Sequence, residues 1–288
     1  MIRETTAIKS NFAPRPKDIG DFEVRRAIPT VNHRAIGPWV FFDHFGPVDF
    51  APGEGMNVRP HPHINLATVT YLFEGEIFHR DSLGNTLAIK PGGVNLMVAG
   101  RGITHSERTR DDLRANGYRL HGLQLWHALP EADEETDPAF YHHPASDIPQ
   151  VDVGGVTVRV MMGSAYGVTS PVKTFSDNIY IEADLNAGDS LDLPSAEERG
   201  IYVVKGELDI QGEAAPIFSM SVLSGSAKTV TAKTDTRFAL IGGAHLGHRY
   251  MEWNFISSRQ DRIEQAKDDW REGRFPTVVG DEDEFIPL

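Results

Sequence analysis

The sequence contains no cysteine, which removes disulfide scaffolds, thiolate metal sites, iron–sulfur clusters and Cys nucleophiles together. Any metal must therefore be held by nitrogen and oxygen, and the 12 histidines become the residues to watch. Positive charge is also scarce. With 28 Lys+Arg against 41 Asp+Glu the formal net charge is −13, so unaided binding to nucleic-acid phosphates is not expected. No run approaches about eighteen uninterrupted apolar residues, and Met1-Ile2-Arg3-Glu4-Thr5-Thr6 lacks the basic-then-apolar layout of a signal peptide. The expectation is a soluble cytoplasmic protein without membrane association. No G-x-G-x-x-G follows a strand, and neither G-x-x-x-x-G-K-[ST] nor G-x-S-x-G occurs, so dinucleotide, nucleoside triphosphate and α/β-hydrolase chemistries lack their usual mechanics.

What is present is a chain of 288 residues, long enough for one large or two medium domains. The 27 Gly and 18 Pro are scattered between short β-rich runs such as Ala67–Phe73, Val94–Val98, Leu120–His127, Val156–Met161, Ile179–Ala183 and Ile201–Val204. That density of turns implies an all-β sandwich or barrel. The acidic, proline-bearing stretch Glu131–Pro149 has no apolar periodicity and reads as a linker, which places the domains at 1–135 and 136–288. One helix is expected late in the chain: Ser257 or Ser258 caps it, Ile263, Ala266 and Trp270 fall at helical spacing, and Gly273 ends it. The run Asp281-Glu282-Asp283-Glu284 reads as a solvated surface tail.

An internal echo supports duplication. Thr70-Tyr71-Leu72-Phe73-Glu74-Gly75-Glu76-Ile77 resembles Ile201-Tyr202-Val203-Val204-Lys205-Gly206-Glu207-Leu208, each an apolar strand turning at Gly-Glu into another strand. Together with the linker, this points to two related β-domains.

The strongest chemical constellation is Arg59-Pro60-His61-Pro62-His63 followed, after 41 intervening residues, by Gly102-Ile103-Thr104-His105-Ser106-Glu107. On a strand, residues two apart share a face, so His61 with His63 and His105 with Glu107 each present a pair. Two such strands side by side bring three imidazoles and a carboxylate to one point, a four-ligand site for a divalent metal with room for a further ligand. Either pair alone is commonly a surface accident; their joint occurrence beside strand-ending Gly and Pro is what carries the reading. At a constant offset of 131 these ligands correspond to Asp192, Pro194, Thr236 and Phe238, so the second domain keeps the strands but not the site. Its His245 and His248 sit among glycines and read as loop residues. His121 and His127 read as packed or surface histidines. Arg101 meets either an anionic substrate or a carboxylate.

The runs His61-Pro62-His63, Thr68–Gly75, His79–Gly84, Pro91-Gly92-Gly93, Met97–Glu107 and Gly122–Trp126, with Asp43-His44-Phe45-Gly46 upstream, resemble pirin proteins of the cupin superfamily. The match spans roughly residues 36 to 130; the C-terminal half is similar mainly in architecture and in its closing helix. The resemblance implies two cupin-type β-sandwich barrels (a bicupin) with a short C-terminal helix. It also implies one metal in the first barrel held by His61, His63, His105 and Glu107. Iron, as Fe(II), is the family's usual metal, although imidazole and carboxylate equally accept Mn, Co, Ni, Cu or Zn. His79 and Asp81 belong to the family's motif and are either partners orienting a ligand imidazole or simply a turn. The implied activity is that of a dioxygenase of the quercetin 2,3-dioxygenase type, taking O2 and a flavonol-like aromatic, with Glu107 as ligand and general base. The alternative is a metal-dependent regulator docking on an enzyme or transcription factor. Ile64-Asn65-Leu66-Ala67 departs from the smaller, glycine-containing segment common in the family, and bulk there is expected to narrow the pocket.

Overall fold

The computed structural model describes residues 6–288. Two compact units emerge. One comprises the stretch up to Arg15, Ala27–Val40 and Ser146–Leu246; the other comprises Pro16–Arg26, Phe41–Ala145 and Gly247–Leu288. Each is built on a seven-stranded antiparallel sheet accompanied by a four-stranded one.

In the unit carrying the histidine motif, the order of the large sheet is Ala139–His143, Val94–Val98, Leu66–Glu74, Tyr118–Ala128, Trp39–Phe50, Glu23–Ile28 and Arg15–Asp18. Its central strand Leu66–Glu74 is buried from Leu66 through Leu72, which is why it reads as a near-continuous run of β-branched and aromatic residues rather than an alternation. The smaller sheet runs Asn57–His63, Ile103–Arg108, Ile77–Asp81, Thr86–Ile89. There the period of two is plain: Ile77, His79 and Asp81 are buried while Phe78 and Arg80 are half-buried.

The second barrel repeats this plan strand for strand. Its large sheet runs Ile8–Phe12, Met220–Leu223, Glu198–Lys205, Thr236–Gly243, Asn178–Leu185, Val156–Met162, Gln150–Val153. Its small sheet runs Ser190–Asp192, Thr229–Ala232, Leu208–Ile210, Glu213–Ala215. The Gly-Glu echo falls where expected, at the hairpin between Leu66–Glu74 and Ile77–Asp81 and again between Glu198–Lys205 and Leu208–Ile210. Gly75 (φ +88) and Gly206 (φ +77) occupy the left-handed region, and a Cβ on either would collide with a backbone carbonyl, of Arg119 and Asp235 respectively.

The domain organisation differs from a single cut at 135/136. Glu131–Pro149 is no linker: Ala139–His143 pairs along Val94–Val98 and closes the edge of the first barrel's sheet. The matching edge of the second barrel is supplied by Ile8–Phe12, paired with Met220–Leu223. Apolar periodicity misses both because an edge strand is half exposed and needs only its backbone to pair.

The expected helix is present as Gln260–Arg271. Ile263 and Ala266 are buried, and Gly273, at φ +66, follows its end. Its capping differs from expectation: Arg259 is the N-cap residue without a side-chain cap, while Ser257 Oγ accepts from the Arg259 amide and Glu134 accepts from the Ser258 amide. The segment Asp281–Glu284 is not merely solvated. Asp281 receives two 2.7 Å hydrogen bonds from the Arg108 guanidinium, a bidentate pairing.

Candidate metal centre

Asn57–His63 and Ile103–Arg108 are antiparallel neighbours, with His105 opposite His61 and Ile103 opposite His63. The register slips between His105 and Glu107, where Arg59 and Pro60 together face one residue of the partner strand. Pro60 and Pro62 cannot donate to a ladder, and they sit on the edge strand of the sheet, where that loss is tolerated. The bulge leaves two carbonyls for other duties. Arg59 O accepts from His61 Nδ1 at 2.9 Å, and Pro60 O accepts from the Ile286 amide at 2.9 Å.

A carbonyl only accepts, so His61 Nδ1 carries the ring proton and Nε2 presents a lone pair. His63 is set in the same way by Asn254 O, 3.1 Å from its Nδ1. His63 Nε2 then lies 3.2 Å from His105 Nε2. Two nitrogens each about 2.1 Å from one ion, at angles of about 90 to 110°, stand roughly 3.0 to 3.4 Å apart, so the spacing fits a shared metal. Among the described residues, His61, His63 and His105 are the one set of three whose potential ligand atoms all fall within 4.8 Å of one another. His105 Nδ1 is buried with no hydrogen-bond partner, so its tautomer is left to whatever binds at Nε2.

Burial keeps all three imidazoles neutral, as ligands must be. Burial is the main cause of lowering the His61 pKa to about 4, against a small opposing effect of the Arg59 carbonyl and with His79 adding to the fall. His63 and His105 are pushed well below the ordinary value first by burial and then by neighbouring histidines. Glu107 does not join the close set of three. It is buried, lines the same cavity, and burial raises its pKa to about 7. His79 lies across the ladder from Glu107 and meets Asp81 at 3.1 Å. Asp81 also accepts from the amides of Leu83 and Asn85, so it shapes the turn and holds His79, and it is the carbonyls of Arg59 and Asn254 that orient two of the clustered imidazoles. Burial acts to raise the Asp81 pKa, but hydrogen bonds from His79 and Asn85 bring it below the usual carboxylate value.

The imidazoles open on a cavity of ≈ 570 Å³ whose mixed walls include the rings of Phe22, Phe41, Phe45, Trp126 and Trp253. Phe41 stacks on Trp126 (3.9 Å, 9°), Trp126 meets the His63 ring edge-on at 4.9 Å, and the Arg26 guanidinium covers the other face of Phe41 at 4.4 Å while binding Asp43 at 2.8 and 2.7 Å. Sequence reasoning missed Arg26, Trp253, Asn254 and Ile286, which reach this cavity from segments with no motif of their own.

Other expectations resolve plainly. Ile64 to Ala67 do not narrow the cavity: Ile64 packs with Phe255, Ile263 and Ala266, and Asn65 holds φ +57 with its amide on the carbonyls of Gly100 and Glu134. Arg101 pairs with Asp137 at the surface. His127 is packed, whereas His121 meets His44 at 2.8 Å between Nε2 atoms. His245 and His248 are exposed. In the second barrel, Leu191 pairs with Val230 as His61 pairs with His105. The constant offset of 131 therefore reaches the counterpart of the first ligand strand, one residue away from the inward-facing Leu191, and fails for the second, since the true counterpart of Ile103–Arg108 is Thr229–Ala232, not the strand of Thr236. Neither Ser190–Asp192 nor Thr229–Ala232 carries a histidine.

Two cupin barrels in one chain, one of them holding a buried three-histidine cluster, define a bicupin with a candidate metal centre. The Pirin family profile matches residues 21–127 and the Pirin C-terminal cupin domain matches residues 180–276; the chain belongs to the pirin family. It is 45% identical over 282 residues to a pirin-like protein of Caulobacter vibrioides, covering 96% of this chain and 98% of that one. It also resembles a crystal structure of quercetin 2,3-dioxygenase from Acinetobacter baumannii with TM-score 0.90 and 33% identity, covering 97% of this chain and 94% of that one. A bacterial pirin from Escherichia coli in complex with nickel(II) shares the fold, at TM-score 0.64 and 21% identity over 82% of this chain and all of that one (100%). No helix among the described residues is long and apolar enough to cross a membrane.

Proposed function

We propose that the protein is a divalent-metal-dependent dioxygenase acting on a flavonol-like aromatic, in the manner of quercetin 2,3-dioxygenase. The observation that carries this reading is the opening of the three-imidazole cluster directly onto a cavity that five Phe and Trp rings help to line. His61, His63 and His105 would hold the ion, Fe(II) in this proposal, with Glu107 as a fourth donor. A bound divalent cation supplies Lewis acidity, making a phenolic hydroxyl easier to ionise.

The remaining work belongs to side chains. Trp126 and the rim of Phe41 line the cavity and supply aromatic wall against which a planar substrate is oriented. Arg26, held by Asp43, backs that stack with positive charge. Glu107 faces the cavity with its pKa raised by burial to about 7, which suits its carboxylate to take the proton from a substrate hydroxyl. Phe22, Phe45, Met56 and Ile77 give the cavity apolar wall against which the substrate's carbon skeleton is desolvated. Likeness to the Acinetobacter baumannii enzyme supports the substrate class.

The test is anaerobic reconstitution with Fe, Mn, Co, Ni or Cu followed by O2 electrode measurements with quercetin. Metal-dependent O2 uptake with loss of flavonol absorbance is expected, abolished in His61→Ala; no uptake with any of the five metals would overturn the assignment.

A further inference from the structure

The segment Asp281–Leu288 reaches the metal-bearing barrel through a few discrete attachments. Arg108 grips Asp281 at 2.7 Å, the Ile286 amide donates to Pro60 O at 2.9 Å, and Trp270 Nε1 donates to Ile286 O at 2.9 Å. Phe285 rests edge-on against Trp270 at 5.7 Å. Between the anchors at Asp281 and Ile286 the segment borders a second cavity of ≈ 320 Å³, so it is not packed down along its length. Ile286 itself is half-buried and forms part of the wall of the metal cavity, alongside His61 and His63. Its anchor, Pro60 O, belongs to the residue immediately before His61, at the bulge that frees that carbonyl.

We infer that Ile286, hung on this three-point attachment, is a specificity-determining residue whose side chain sets how wide a planar molecule the metal cavity admits. The Ile286 backbone, fixed through both its amide and its carbonyl, cannot move away without giving up two hydrogen bonds, and its β-branched side chain has few rotamers, so its bulk is held at the boundary. The Trp270 indole acts as the positioning group, and the void beneath the segment leaves room for the wall to retreat when that anchor is removed. This deepens the flavonol reading and rests on it for the ligand class only.

The experiment uses nickel-loaded full-length protein and the variants Ile286→Ala, Ile286→Trp and Trp270→Phe, the last keeping an aromatic ring but losing the N–H. Two quantities are read: the rate at which dipicolinate strips the nickel, and the equilibrium affinity for nickel. Ile286→Ala is expected to speed stripping and Ile286→Trp to slow it, each by about tenfold, with Trp270→Phe shifting in the same direction as Ile286→Ala. Nickel affinity should stay within about twofold throughout, because no ligand is touched. Quercetin affinity, followed by quenching of tryptophan fluorescence, should fall about tenfold in Ile286→Trp. Unchanged stripping rates, or rates that change only in proportion to nickel affinity, overturn the inference. Failure of quercetin to bind the wild-type protein defeats the flavonol reading instead, and the stripping rates still decide the role of Ile286.

Discussion

In the first barrel the edge strand of the small sheet, Asn57–His63, is seven residues long and turns two imidazoles inward; in the second, the strand in the same place, Ser190–Asp192, has three residues and turns in Leu191. Where His61 faces His105 in one barrel, Leu191 faces Val230 in the other, and both join an aliphatic core with Leu208 and Ile210. Strand order is identical. The comparison teaches that the cupin framework is specified by its large sheet and Gly-Glu hairpin, while the small sheet is open to either use. Burying several imidazoles and a carboxylate costs desolvation that an aliphatic interior avoids, so the first barrel trades stability for a site and the second does not.

The largest expected effect would break this division of labour outright. His63→Ala should lower metal affinity more than about 100-fold, whereas Asp192→Ala at the corresponding strand should leave one metal per chain, as read by elemental analysis of both proteins. Metal retained by the His63 variant would mean the ligand set lies elsewhere. Next, Ile201→Ala in the aliphatic core of the second barrel should cost about 2 to 5 kcal/mol in urea unfolding with no change in metal content. The shared hairpin sharpens the likeness: Gly75→Ala and Gly206→Ala should each destabilise by about 1 to 2 kcal/mol or more, and similarly, since both positions need positive φ and meet a carbonyl.

The smallest effect concerns the unit that holds the site. Burial pushes the Asp281 pKa up, but the Arg108 hydrogen bonds and charge outweigh it and leave the folded value below the usual one. A depressed carboxylate pKa adds stability that is complete above the unfolded value near pH ~4 and is lost as the pH falls through the folded value. Asp281→Asn should therefore cost about 1 kcal/mol near pH 7, with the gap to wild type closing in acid, a trend seen by thermal melts across pH.

Much of the site was legible because its signals are local. His61 with His63 and His105 with Glu107 each show strand spacing, and only the ladder between them needed three dimensions. The pairing is confirmed, but the close cluster holds three members, with Glu107 set apart. The helix at Gln260–Arg271 was readable from Ile263 and Ala266, whereas its start was not, because no side chain caps Arg259 and the Ser258 amide just ahead of it is bound by Glu134, over a hundred residues earlier. The edge strands Ile8–Phe12 and Ala139–His143 carry no apolar alternation strong enough to see. Asn254, which sets the tautomer of His63 through its carbonyl, left no trace in side-chain chemistry at all, since any residue's backbone would serve.

The pairing of Ile8–Phe12 with Met220–Leu223, clasped by the Ala7 amide on Glu213 206 residues away, makes the second barrel late to assemble on a growing chain. One of its edge strands is made first, but its partner emerges only after every strand of the first barrel's two sheets has been synthesised. Closing so long a loop slows the search more than it weakens the product. Until then Ile8–Phe12 is without its partner strand, and a fragment beginning at residue 146 would leave the flank of Met220–Leu223 open permanently, exposing it to pairing with other chains.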